Sequence, residues 1–395
     1  MRYARCVICD KNNMSDTLVR NPFQYGGVVG GSSFCNRRKE LADLLRAIEN
    51  GEKLFVYSER RLGKTSLIKY AFSQLAKKRD FATAYVDLWS TDDAASFVTT
   101  TAKAVAESMG RTAEQLLETG KTLFSRLSPS VSVGEDGKPT ISFGLKTNKE
   151  PGPEIEEVLA APAKLADEKK VVVVFDEVQR ILEYQGDQIE RRLRGIIQTQ
   201  ANVSYIFMGS RKHLVQQMFL HKSRPLYRAA GHYPLGPIAA PEWIPFIGEK
   251  FRKAAKTISD ETILAIVDLT QGHPFYTQHL CHALWELCEA GSEVKKESIQ
   301  TGLKVLLDRE SYAYTSLWES LALNQRRLMK GLTFEPRGVK PFSTDFIGRY
   351  GLGSPSNAQR AVEGLLNKDI IDRDNGSFII SDRFFRIWIQ QTERK

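Results

Sequence analysis

The sequence predicts an α/β fold, a parallel sheet flanked by helices, followed by a helical region and a small C-terminal domain. Three observations predict it. An apolar run at 54–57 leads through a short loop into a helical pattern, and a β-branched run at 171–174 ends at two acidic residues. Continuous apolar strands of this kind are typical of parallel sheets that are covered on both faces. From Pro234 onward the apolar periodicity becomes helical, which predicts the additional domains.

The elements of the predicted sheet domain follow from local patterns. Residues 1–33 are rich in glycine and lack helical periodicity, so we expect an extended segment. Asn50-Gly51 ends a helix predicted over 37–50. Alternating residues on both sides of Gly134-Glu135-Asp136-Gly137 predict a β-hairpin inserted near 125–150, which we expect to be a solvent-facing flap, with a contact to a partner as the alternative. Further helices are predicted over 94–119, 154–166 and 188–199, and further strands over 81–89 and 203–208.

The loop after the first strand, residues 58–66, carries a phosphate-binding pattern. It fits G-x-x-x-x-G-K-[ST], except that Ser58 stands where the pattern has its first glycine. Gly63 lets the backbone approach an anion at the helix N-terminus, where amide groups and the helix dipole attract negative charge. We expect Lys64 to reach the outer phosphates and the Thr65 hydroxyl to ligate Mg²⁺. The departure at Ser58 bears on hydrolysis more than on binding, because the Gly-Lys-Thr group is intact.

A pair of carboxylates follows the β-branched strand. Asp176 and Glu177 come directly after Phe175, at the carboxyl end of a strand, where ligands bind in open α/β sheets. We expect Asp176 to hold Mg²⁺ and Glu177 to orient and polarise an attacking water. In the alternative interpretation Asp176 only caps a helix after a core strand, and a P-loop in the same chain makes that the less favoured one.

Polar residues also follow the strand predicted at 203–208. Ser210 could hydrogen-bond a phosphate or the water, and Arg211 could stabilise charge that develops during phosphoryl transfer. Alternatively, these residues simply begin a basic helix. A basic helix start is electrostatically unfavourable, which favours the functional interpretation.

Composition limits the class of protein. A chain of 395 residues with 42% hydrophobic and 26% charged residues is typical of a globular protein of two or three domains. No apolar run reaches the roughly 18 residues of a membrane helix, and the first residues lack a signal-peptide core, so we expect no membrane association and a cytoplasmic location. The net charge of +9 permits a nucleic acid or an acidic partner without requiring one. Cys6 and Cys9 lack a second pair, so a metal site there is not favoured.

The patterns divide the chain into four parts. They are an extended segment (1–33), a P-loop NTPase core (34–232), a helical lid (233–322) and a winged helix (323–395). Lid helices are predicted over 243–255, 260–270, 274–290 and 297–321. The C-terminal part combines short helices over 325–333, 343–350 and 356–368 with a turn at 372–377 and a strand at 378–380, which together predict a winged helix.

With these elements placed, the chain resembles the archaeal-type ATPases, a prokaryotic branch of the STAND class within the AAA-like P-loop NTPases. The segments that carry the resemblance are Asn21-Pro22-Phe23, Phe34 to Arg37 with Glu40-Leu41, the P-loop Arg60 to Leu67, the Walker B Phe175-Asp176-Glu177, the sensor strand end Gly209 to Lys212, the lid motif Gly272 to Tyr276, and the tail Ser381 to Trp388, where Arg383 replaces the usual proline.

The resemblance implies ATP or ADP with Mg²⁺ as ligands and assigns residues to them. Nucleotide contacts are implied for Asn36, Arg37, Arg61, Leu62, Gly63, Lys64, Thr65, Ser66 and Pro274, the last of which packs near the base. Catalytic roles are implied for Lys64, Glu177, Ser210 and Arg211, and Mg²⁺ ligands are Thr65 and Asp176.

The favoured function is an ATP-driven switch that acts with a protein partner or by self-association. One alternative is an ATP-regulated DNA-binding protein that uses helix 356–368; its basic face is thin, so DNA is the less favoured partner. The other is a nucleotide-bound scaffold with little turnover. A trans-acting arginine could come from Arg191, Arg192 or Arg194, and the sequence does not choose among them.

Overall fold

The computed structural model describes residues 20–35, 37–78, 80–146, 151–374 and 376–393. The core begins with helix α1 (Arg38–Glu49), strand β1 (Lys53–Tyr57), helix α2 (Lys64–Leu75), strand β2 (Phe81–Asp87), and helices α3 (Ala94–Glu107) and α4 (Ala113–Leu123). A hairpin of β3 (Leu127–Val133) and β4 (Pro139–Leu145) follows, and then α5 (Gly152–Leu165) and β5 (Lys170–Asp176). A 3₁₀ helix (Val178–Glu183), α6 (Gln188–Thr199), β6 (Val203–Gly209), α7 (Lys212–Leu220) and β7 (Gly231–Pro234) complete the core.

The central sheet has five strands in the order β2-β5-β6-β1-β7, and every neighbouring pair is parallel. The predicted α/β class is therefore confirmed. Strand β6 lies between the P-loop strand β1 and the Asp-Glu strand β5. Tyr57 pairs with Gly209, and Phe175 pairs with Phe207. The loops that follow the three strands therefore meet at one edge of the sheet.

Two predictions about the core were wrong in detail. The single helix expected over 94–119 is divided, because the Thr112 side chain accepts a hydrogen bond from the Gln115 amide at 3.3 Å and starts a new helix there. The hairpin is not a solvent-facing flap, since Leu127, Ile141 and Phe143 on its inner face are buried in the core that also holds α3 and α4. Alternation along each hairpin strand gives it one apolar face, and that face is covered.

The lid contains α8 (Ala240–Arg252), α9 (Asp260–Thr270), α10 (Pro274–Leu287) and α11 (Ser298–Glu319), with a short parallel pair of β8 (Thr257–Ile258) and β9 (Glu293–Val294). The C-terminal part contains α12 (Leu323–Phe334), α13 (Thr344–Tyr350), α14 (Pro355–Asn367), the antiparallel wing of β10 (Ile371–Asp374) and β11 (Ser377–Ile380), and α15 (Arg383–Thr392). This is the predicted winged helix. Tyr314 and Trp318 of α11 pack on Phe385 and Trp388 of α15, so lid and winged helix share one apolar core.

The described part of the N-terminal segment, residues 20–35, forms a strap between lid and core. Phe23 is buried against Phe251 of α8, with ring centroids 5.3 Å apart. Tyr25 stacks on His279 of α10 at 3.8 Å. At the core end, the Val29 amide donates to the hydroxyl of Ser66 at 3.0 Å. The strap thus crosses the opening between the two domains.

Among the described residues, no helix combines the length and the apolar character needed to cross a bilayer.

Candidate nucleotide-binding site

A cavity of about 330 Å³ lies where the core, the lid and the strap meet. At one end it is lined by the loop Gly63–Ser66 together with Glu177 and Ser210. The opposite wall comes from the strap and from the start of α10. The residues of that wall include Val28, Phe34, Ile238, Pro274, Phe275 and Gln278. One end is therefore polar and rich in backbone amides, and the other is mostly apolar, which suits a phosphate chain attached to a flat base.

The loop backbone is shaped as an anion cradle. Gly63 has φ +87° at the N-cap of α2, and Arg61 has φ +59°. A β-carbon on Gly63 would meet no atom within 4 Å, so the glycine is needed for its conformation and not for space. No described side chain caps the N-terminus of α2, which leaves its first amides directed at the cavity. This fits a bound phosphate group.

Lys64 lies buried at the centre of the cradle. Its ammonium donates to the Ser58 hydroxyl at 2.8 Å and to the Glu59 carbonyl at 3.3 Å. Burial lowers the pKa of Lys64 to about 8. Ser58, the departure from the glycine pattern, therefore supplies a hydroxyl that holds the lysine in place.

The predicted magnesium ligands are adjacent. The Thr65 hydroxyl donates to Asp176 Oδ2 at 3.0 Å, and the Tyr85 hydroxyl donates to the same oxygen. Burial and the nearby Asp176 carboxylate raise the pKa of Tyr85, so the phenol keeps its proton. A hydroxyl and a carboxylate next to a phosphate cradle are the oxygen ligands that Mg²⁺ prefers, and Thr65 and Asp176 would hold it. Sequence reasoning missed Tyr85, which reaches Asp176 only because β2 pairs with β5.

Glu177 is held in a strained backbone conformation. Its φ is +53°, a left-handed conformation that is uncommon for residues other than glycine. The carboxylate accepts a hydrogen bond from the Ser210 hydroxyl at 2.8 Å and another from the Gln179 side chain. A side chain at Gly209 would overlap Gln179, so this glycine makes room for the contact. Gln179 is a further residue that sequence reasoning missed; it is buried at the wall of the site.

Arg211 occupies a different place from the one expected. Its guanidinium lies against the winged helix, where Nε donates to Asp369 Oδ2 at 3.0 Å. Arg60 of the P-loop donates to the same oxygen at 3.0 Å. Arg211 and Arg60 thus share the carboxylate of Asp369, which lies in the turn after α14. Sequence reasoning did not single out Asp369. Asp369 itself has φ +55°.

Other predicted nucleotide contacts line the cavity but already have protein partners. Arg37 is buried, and its guanidinium donates to the carbonyls of Leu62 and Gly236, both at 2.9 Å. It therefore braces the P-loop against the start of the lid. The Arg61 guanidinium lies over the Phe275 ring at 4.3 Å. Pro274, Leu62 and Ser66 also line the cavity, whereas Asn36 lies outside the described residues.

A buried histidine joins the lid to the P-loop. The His273 Nε2 lies 3.0 Å from the Arg60 carbonyl. Burial, together with the charge of Arg383, lowers the pKa of His273 well below its ordinary value, so the ring is neutral. Because a carbonyl can only accept, the proton of the neutral ring is on Nε2.

The remaining sequence candidates lie away from the cavity. On α6, the Arg191 side chain pairs with Asp187, and Arg192 and Arg194 donate to the carbonyls of Gly152 and Tyr227. Cys6 and Cys9 lie outside the described residues. In the part of the chain that the structure describes, no cluster of three or more metal-binding side chains is present.

The geometry agrees with comparisons to known proteins. Residues 34–280 match the ATPase domain predominantly from Archaea. The chain belongs to this ATPase family. Residues 312–391 match a probable winged helix domain. No curated protein matches the chain.

Solved structures share the fold of this archaeal-type ATPase. The Walker-type ATPase PABY2304 of Pyrococcus abyssi is similar with a TM-score of 0.61 at 17% identity, covering 91% of this chain and 96% of that one. The ORC2 protein of Aeropyrum pernix, solved as ADPNP-ADP complexes, is similar with a TM-score of 0.51 at 11% identity, covering 91% and 95%. At these identities the likeness extends to the fold alone.

Proposed function

We propose that this chain binds ATP with Mg²⁺, hydrolyses it to ADP and phosphate, and uses the nucleotide state to control the position of its winged helix. The switch is proposed to act with a protein partner or with a second copy of the chain. Membership of an ATPase-domain family supports the chemistry, and the contacts of the winged helix support the switch.

The residues around the cavity suit each part of the reaction. Lys64 and the amides of the P-loop would neutralise the outer phosphates, and Mg²⁺ held by Thr65 and Asp176 would offset the charge between them. Glu177 would accept a proton from a water that attacks the terminal phosphorus, while the bond from that phosphorus to the bridging oxygen of ADP breaks. The Ser210 hydroxyl, 2.8 Å from the Glu177 carboxylate, would keep the base directed at the water.

The observation that carries the proposal is the set of ion pairs between the winged helix and the loops around the phosphate end. Asp369 accepts from Arg60 and Arg211 at 3.0 Å. Arg383 lies 2.9 Å from the Glu59 carboxylate. A terminal phosphate carries charge of the same sign as Asp369 and would compete for the same arginines. Such competition is the physical requirement for a nucleotide-dependent switch.

Release of the winged helix would uncover complementary charges. Asp369 and Arg383 would be exposed on the winged helix, and their present partners Arg60, Arg211 and Glu59 would be exposed on the core. A partner or a second copy could bind either surface in place of the internal contact. DNA gains no comparable support, because the wing carries Asp372, follows closely after Asp369 and packs on α7 of the core.

Phosphate release by the purified chain tests the proposal, measured alone and with double-stranded DNA, with Glu177→Gln as the control. Turnover that disappears in the control and ignores DNA supports the switch. Turnover that DNA stimulates would favour the DNA-binding alternative. Absent turnover with ADP recovered from the denatured protein would favour the scaffold. Light scattering of Glu177→Gln with ATP or ADP then tests self-association.

A further inference from the structure

We infer that Gln278 recognises the base and makes the site selective for adenine over guanine. This inference rests on the nucleotide binding proposed above and adds the determinant of base selectivity.

Gln278 lies where the base of a bound nucleotide would be. It is one helical turn after Pro274 on α10, and both residues line the cavity on the lid side. Phosphates held by Gly63–Ser66 direct the nucleoside toward this wall. The wall is otherwise largely apolar, with Val28, Ile238 and Phe275 among its residues. A polar group placed there determines orientation and selectivity more than affinity.

The Gln278 side chain lacks the partner that its burial requires. It is 4% exposed, and its side-chain oxygen is buried without a hydrogen-bond partner among the described residues. The preceding buried residue on the same helix, Thr277, has its hydroxyl 2.7 Å from that of Thr270. A buried amide oxygen without a partner is costly, and a ligand that donates a hydrogen bond to it would remove that cost. The cavity that the side chain lines is where a ligand would do so.

A carboxamide matches the edge of adenine. Gln278 offers an acceptor oxygen beside a donor nitrogen at the end of a side chain that lines the cavity. Adenine presents the complementary N6 amino donor beside the N7 acceptor, a pairing that glutamine makes with two hydrogen bonds. Guanine presents acceptors at both O6 and N7, so the glutamine oxygen would face another oxygen.

Other polar residues of the cavity are less suited to this role. Arg37 is committed to two backbone carbonyls, at 2.9 Å each. Gln24 lies in the strap and is exposed, so water can satisfy it. Because Gln24 lines the same cavity and is also a glutamine, it provides a matched control.

The test is competitive displacement of a ribose-labelled fluorescent ADP by ATP, ITP and GTP. ITP has the oxo group of guanine at position 6 and lacks its 2-amino group. The wild type, Gln278→Leu and Gln24→Leu are compared, and thermal unfolding establishes that each variant is folded. Should Gln278→Leu fail to fold, Gln278→Glu keeps the volume and an acceptor oxygen and replaces the donor nitrogen with a second oxygen, at the cost of an added negative charge.

We expect the wild type to prefer ATP over ITP and GTP by at least ~10-fold. Gln278→Leu should lower that ratio toward one by weakening ATP alone, Gln278→Glu should lower it in part, and Gln24→Leu should preserve it. A preference retained in Gln278→Leu, or equal weakening of all three nucleotides, would overturn this inference while nucleotide binding stands. A wild type that binds none of them would overturn the proposed function as well.

Discussion

Replacing Asp369 with asparagine should release the winged helix and raise ATP turnover. The substitution keeps the shape of the side chain and removes the charge that Arg60 and Arg211 share. Asp369 is 17% exposed and the two arginine side chains are 40% and 30% exposed, so water screens both pairs substantially. We assign ~1 kcal/mol to each pair, at the upper end for partly exposed ion pairs. The docked state would then lose about 2 kcal/mol, which is a ~30-fold change in its population.

Two measurements together check this prediction. Steady-state phosphate release should rise by up to ~30-fold if undocking limits turnover. Amide hydrogen exchange should become faster in β10 and α7, the elements that the contact brings together. Asp345→Asn is the matched control, since Asp345 also belongs to the winged helix and, among the described residues, forms an ion pair only with Arg349 on its own helix, at 2.8 Å and 83% exposure. Faster exchange with unchanged turnover would refute the idea that docking of the winged helix controls hydrolysis.

Three further predictions concern the site itself. Glu177→Gln should abolish phosphate release because the residue acts on the attacking water, and the dissociation constant for ATP should stay within a few-fold of the wild-type value. A loss of ATP binding in calorimetry as large as the loss of turnover would argue against that role. Burial lowers the pKa of Lys64 from 10.5 to about 8, so the ammonium is fully charged well below pH 8 and loses its charge as the pH rises. ATP affinity should therefore fall by roughly 10-fold between pH 7 and pH 9. A calorimetric titration of Lys64→Met should lack this pH dependence. Gly209→Ala should overlap Gln179 and displace the Glu177 carboxylate; it should lower kcat more than ATP affinity and reduce unfolding stability by about 1–3 kcal/mol in denaturant titrations.

The sequence predicted the parts of the site that depend on local order along the chain. Gly63, Lys64 and Thr65 are placed by one strand-loop-helix unit, and Asp176 with Glu177 by the end of another strand. These two groups of residues lie close together because the carboxyl ends of parallel strands lie at one edge of the sheet. Strand β7 was missed because Gly231-His232-Tyr233-Pro234 has no apolar run, and it is a strand only through pairing with β1.

Residues that act through tertiary contacts could not be found in this way. The alternation along β2 indicates that Tyr85 shares a face with Thr83, but only the strand order brings its hydroxyl to Asp176. Nothing in the local sequence distinguishes Gln179, because its position depends on the space left by Gly209, which belongs to a distant strand. One boundary was predictable and was placed wrongly: α14 begins at Pro355, one residue before the expected start at 356, and its N-cap is Ser354. A proline at the first helical position signals that start.

The position of Asp369 makes the coupling between nucleotide and winged helix reciprocal. One carboxylate oxygen of Asp369, Oδ2, accepts hydrogen bonds both from Arg60 of the P-loop and from Arg211 in the loop after β6. The complete contact therefore forms only when both loops hold their present positions. If ATP draws either arginine away, ATP binding opposes docking, and linkage requires docking to oppose ATP binding by the same factor. Asp369→Asn should therefore bind ATP more tightly as well as hydrolyse it faster. Faster turnover with unchanged affinity would mean that the winged helix acts on the catalytic step and not on the bound phosphate.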